Sequence, residues 1–152
     1  MTNIKAIFGL LLAAVAAGAF AVASSAGNTG SSTRSGELHV TKNCRDYTLA
    51  AGDFCTITSS NLDAIKVGSR VVYASAADLT SGVLNSDLVI AVGPGHNTAF
   101  GHVVLNLSTL SGVVTLSGGT GKFTHFHAAI TVACPAFPDC SWDGPYSFSP
   151  QD

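Results

Sequence analysis

The stretch Thr115–Cys134, TLSGGTGKFTHFHAAITVAC, joins a cluster of small turn residues to a long β-prone segment carrying two histidines one residue apart. Glycines 118, 119 and 121 let the chain reverse within a few residues, because glycine enters positive φ without the steric cost of a Cβ. The runs on either side, VVTLS and KFTHFHAAITVA, read as the arms of an antiparallel hairpin. Residues two apart on a strand share a face. Phe123, His125, His127, Ala129 and Thr131 therefore form one side of the second arm, and Thr124, Phe126, Ala128, Ile130 and Val132 the other. The second side is the more apolar and is expected to be covered by a core or a partner subunit, which leaves the histidines facing an interior space or solvent.

The same grammar recurs along the chain. The β-rich runs ELHV, FCTITSS, AIKVGSRVVYASA, DLVIAV, AFGHVVLNL, GVVTLS, KFTHFHAAITVA and PYSF alternate with turn clusters such as GPGHN and STLSG, and no helical periodicity interrupts them. This predicts an all-β fold, an eight-stranded antiparallel up-and-down barrel, since closure removes the edges that such apolar strands would otherwise expose. A barrel of about eight strands has room inside for its own side chains or for one small ligand. The lumen is thus the expected functional site. An open cavity there would mark a binder of a small apolar molecule, and a lumen plugged by Leu, Val and Phe a structural or interaction barrel.

Ahead of these runs, residues 1–26 have one lysine, Lys5, an uncharged apolar stretch, and small residues that offer cleavage after Ala23 (AVA) or after Ala26 (SSA), the anatomy of a secretory signal peptide. The apolar core from Ala6 to Val22 is shorter than the ~20 residues of a spanning helix and no basic cluster follows it, so no stable membrane anchor is expected. Residues 27–36, GNTGSSTRSG, read as a flexible lead-in and residues 37–152 as the barrel domain of a secreted protein, extracellular or periplasmic. In an oxidising compartment the cysteines, close in sequence as Cys44 with Cys55 and Cys134 with Cys140, are expected to staple the barrel as two disulfides, although four cysteines allow three connectivities. Their spacings lack the C-x2-C knuckle of a zinc ribbon.

A formal charge of −2 with 11% charged residues and scattered cations excludes the basic stripe of a nucleic-acid binder. GPGHN and GGTG neither follow the phosphate-loop pattern nor open a helix, and no G-x-S-x-G elbow supports a hydrolase. His125 and His127, with His102 or His96 as a third ligand, could in principle hold a metal. Ordinary polar positions on a half-buried strand are the favoured reading, so neither metal nor cofactor is expected. Tyr47, Tyr73, Trp142 and Tyr146 line a lumen or fill the barrel ends. Asn61, Tyr73, His102, His125 and His127 are the candidate ligand-binding residues.

VVTLSGGTGKF followed by a long β-run resembles the glycine-rich hairpin of plant dirigent proteins and allene oxide cyclases. ELHV, SNLDAIKVGSRVVYAS, FGHVVLNLSTLSGVVTLSGG and DGPYSF fall in the order of that superfamily's strands, over most of residues 37–148, and the layout is also similar to small exported bacterial members. The resemblance implies an eight-stranded barrel, a lumenal site for an isomerisation or cyclisation, and a homotrimer. Apolar strand faces such as Phe126, Ala128 and Ile130 would be what the trimer covers. Laid on the plant enzymes, ELHVTKNC puts Lys42 and Cys44 where they carry a glutamate and an asparagine. Ala74 falls near their second-strand cysteine, and Asn61 matches an asparagine. A lysine cannot steady a developing cation as a carboxylate does, so allene oxide cyclase activity is not expected.

Overall fold

The computed structural model describes residues 34–149; the expected signal peptide and most of the lead-in lie outside them. Eight strands follow in order: β1 Arg34–Asn43, β2 Phe54–Ser60, β3 Arg70–Tyr73, β4 Val83–Ala91, β5 Thr98–Asn106, β6 Ser111–Thr120, β7 Phe126–Ala136 and β8 Asp139–Phe148. Each pairs antiparallel with its successor, and β8 returns to β1 through ten aligned positions, from Arg34 opposite Phe148 to Asn43 opposite Asp139. The expected closed, eight-stranded antiparallel barrel is what forms. β1 begins at Arg34, so three residues assigned to the lead-in are strand.

Period-two alternation decides what is inside. Leu38, Val40 and Lys42 point inward from β1 while His39 and Thr41 point out, and Phe126, Ala128, Ile130 and Val132 line the interior from β7. The apolar face of β7 is thus covered by the barrel's own core, which corrects the expectation that Phe126, Ala128 and Ile130 need a partner subunit. The large apolar side chains exposed on the strands are Phe100, Val104 and Val113 of β5 and β6.

The two ends are built differently. At the Arg34 end, the loop after β2 folds Leu62, Ala64 and Ile65 into the core, and Phe123 enters from a 3-10 turn at Gly121–Phe123. Phe123 and Phe148 pack on Phe126 with ring centroids 5.5 and 4.8 Å away, an aromatic plug. At the other end the two expected disulfides form, Cys44–Cys55 and Cys134–Cys140, and Cys44 Sγ lies 3.9 Å from Cys140 Sγ. Among the described residues no thiol is free. Unreduced protein should therefore take up no thiol reagent in this domain, and reduction should remove about 2 to 3 kcal/mol per loop through the loop entropy restored to the unfolded chain. Mass analysis after alkylation and denaturant midpoints with and without reductant check both statements.

Candidate functional site

The strands fill the barrel's middle with their own side chains. Trp142, Leu38, Ile57, Leu88 and Ile130 are each under 2% exposed, and an inner space at the disulfide end has a volume of about 60 Å³. That is room for a few atoms, against the roughly 300 to 1,000 Å³ of an ordinary small-molecule pocket. Above it, between the loops, lies an apolar depression of about 480 Å³ with Leu79 and Leu107 in its wall. Tyr47, Leu49, Leu107, Leu110 and Phe137 line both spaces, so the depression is the mouth and the small cavity its floor.

One charged residue type stands on that floor. Lys42 is 3% exposed, because strand alternation from Leu38 and Val40 turns it inward. Its Nζ donates to Tyr73 Oη, and the Tyr73 hydroxyl donates to Cys55 Sγ at 3.7 Å. The amine lies 4.6 Å from the centroid of the Trp142 ring and 5.2 Å from that of Tyr73, contacts that favour a cation. Among the described residues no carboxylate lines the cavity. Desolvation wins, and burial lowers the Lys42 pKa from 10.5 to about 7. Burial, with a smaller push from Tyr47, raises Tyr73, which stays a phenol. Tyr47 is raised by burial first and by Asp53 second. Its ring centroid is 5.0 Å from that of Tyr73, and its hydroxyl is buried without a hydrogen-bond partner, as is Trp142 Nε1.

This arrangement makes stability depend on pH. Between about pH 7 and 10.5 the unfolded chain holds a proton on Lys42 that the folded chain has released, so stability rises with pH across that window. Below it both states are protonated and the buried cation costs the most. The slope is at most ~1.4 kcal/mol per pH unit. Wild type should therefore gain up to about 2 kcal/mol relative to Lys42→Met between pH 7 and 9, and the variant should be the more stable at pH 7. Urea midpoints at a series of pH values check this, and parallel profiles would count against a buried, neutralised amine.

Of the five residues expected to bind ligand, Tyr73 alone faces the lumen. His102 is on the outer wall of β5, its Nδ1 2.8 Å from Asp87 Oδ1 on the neighbouring strand. His39 and Asp143 make the same kind of outer-wall pair at 2.8 Å, which lowers the Asp143 pKa, chiefly through that hydrogen bond. His125 is exposed in the turn before β7, with φ of 59°, and is not on the strand at all. His127 is on the outer wall, in a depression of about 380 Å³ beside Thr115, Ala129 and Pro145. Asn61 has a turn's role: its Oδ1 accepts from the His39 N–H and its Nδ2 donates to Glu37 O, both at 2.8 Å, extending the β1–β2 ladder past the last strand pair. The site that does assemble rests on Lys42, Tyr47 and Trp142; the sequence signal for the lysine is its place in the alternation Leu38, Val40, Lys42, Cys44. Among the described residues no group of three or more His, Cys, Asp or Glu could hold a metal ion.

Comparison with protein-family models, with curated proteins and with solved structures finds no match to this chain.

Proposed function

We propose that the protein is an exported barrel that binds a small apolar molecule at its disulfide end, the apolar part lying in the mouth and one polar group reaching Lys42 on the floor. The observation that carries this reading is a buried amine with no carboxylate beside it, directly below an open apolar depression. Burying an ammonium costs several kcal/mol after relaxation, so a fold that keeps one under an entrance rather than an aliphatic residue is spending stability there. Two disulfides fit an oxidising destination. The strand number and order also fit the allene oxide cyclase and dirigent superfamily, with the floor amine in place of a carboxylate.

Medium-chain alcohols provide the test. Each methylene buried in the mouth should tighten binding by about fourfold, the equivalent of ~0.8 kcal/mol, and Leu107→Glu should abolish the trend. Affinities that do not change with chain length would sink the reading. A second reading, a structural or interaction barrel, is favoured by the filled middle of the lumen, and on that reading the alcohols would not bind in the mouth at any chain length. Self-association as a homotrimer stays with the proposal, now through Phe100, Val104 and Val113, and a monomer mass in light scattering would remove it.

A further inference from the structure

We propose that Lys42 captures carbonyl compounds: its amine condenses with a small aldehyde or ketone bearing an apolar chain, which enters past Leu49, Leu107, Leu110 and Phe137 and is held as an imine. The inference rests on the mouth being a ligand entrance and adds the chemical class of the ligand and a covalent step.

Imine formation needs an amine with its lone pair free, a dry space for the carbonyl group, and a hydroxyl to hand protons to the departing oxygen. All three are on the floor of the mouth. Lys42 is buried away from any carboxylate that would hold it as an ammonium ion, and its lowered pKa leaves much of it unprotonated near neutrality. The 60 Å³ cavity fits a carbonyl and little more, and places the attached chain in the apolar depression above. Tyr73 fixes the amine through its oxygen. Tyr47 lines the same cavity, and its hydroxyl, buried without a hydrogen-bond partner, is the donor left over for a carbonyl oxygen.

In the reaction, the Nζ lone pair adds to the carbonyl carbon and the C=O π pair moves to oxygen, which takes a proton to give a carbinolamine. The C–O bond then breaks, the oxygen leaves as water with a second proton, and the nitrogen lone pair closes the C=N bond. One amine and one carbonyl give one imine and one water, both protons come from nitrogen by way of the tyrosine hydroxyls, and nothing is oxidised or reduced. Mouth and floor divide the work: the leucines select an apolar chain, and Lys42 selects the carbonyl.

The test uses hexanal with cyanoborohydride, which reduces an imine to a stable secondary amine, on the disulfide-bonded protein at pH 7.5, followed by peptide mapping. Lys42 should be alkylated about tenfold or more faster than the exposed Lys66 and Lys122, because burial leaves much of the Lys42 amine unprotonated. Tyr47→Phe should slow labelling of Lys42 and leave that of Lys66 unchanged. Hexanol, which has no carbonyl, is followed through the emission of the single tryptophan, Trp142, beside the amine. Alkylation of Lys66 and Lys122 without Lys42 would overturn the inference. If hexanol still shifts Trp142 emission, the binding mouth survives and only the covalent step falls; if it does not, both fall.

Discussion

Trp142→Ala should lower the stability of the barrel by about 3 to 5 kcal/mol, while Trp142→Phe should cost far less. Trp142 heads the fully buried side chains by volume, stands opposite Val40 on one side and Val132 on the other, and fills the lumen between β1 and β7. Truncation to a methyl group opens a void that a closed ring of hydrogen-bonded strands cannot collapse into, so the cavity cost adds to the lost transfer energy. Phenylalanine keeps most of the volume and removes an indole N–H that has no partner. Denaturant midpoints with the disulfides intact measure both. A loss of under about 1 kcal/mol for the alanine variant would mean that the lumen is not a packed core.

Gly119→Val should cost about 3 kcal/mol or more, and Gly118→Val less, although the two glycines are neighbours. The sequence suggests one reason for both, a positive φ in the hairpin turn, and the structure separates them. Gly118 has φ of +108° and open space where a Cβ would stand, so valine there suffers backbone strain alone, about 1 to 3 kcal/mol. Gly119 does not have a positive φ. A Cβ at Gly119 would meet the Thr98 carbonyl oxygen, come within 2.6 Å of Phe123 Cβ and reach 3.0 Å from Ala99 Cα, atoms of the paired strand and of the aromatic plug that have nowhere to go. Thermal or denaturant unfolding of the two variants side by side measures the order, and Gly118→Val as the more damaged protein would refute the close-approach argument.

The barrel is legible in the sequence because each strand carries its own alternation and its own turn signals. FCTITSS matches β2 residue for residue, and β5 and β6 begin and end within a few residues of AFGHVVLNL and GVVTLS. Where sequence and structure part, apolar residues do something other than strand work. AIKVGSRVVYASA looks like one long strand, but only Arg70–Tyr73 pairs, since Leu62, Ala64 and Ile65 are a loop folded inward to stop the barrel's end. KFTHFHAAITVA likewise begins with a 3-10 turn, which breaks the alternation, buries Phe123 and leaves His125 outside. The site is less legible than the fold for a physical reason. A lysine on a strand reads as solvated surface, and the apolar partners that make Lys42 unusual come from β2, β3 and β8, brought together only by closure.

Closure has one more consequence. Arg34 and Phe148 face each other as the outermost pair of the β1–β8 ladder, with the guanidinium 4.0 Å from the ring centroid, so the two ends of the barrel domain emerge side by side from adjacent strands. The ring itself has no first strand. A circular permutant that joins residue 148 to residue 34 through a short hairpin loop, and opens the chain in the exposed segment Gly93–Gly95 between β4 and β5, would keep all eight ladders and both disulfides. It would place its new ends at the plugged end of the barrel and leave the mouth above Lys42 untouched, so a fused reporter would not obstruct the entrance.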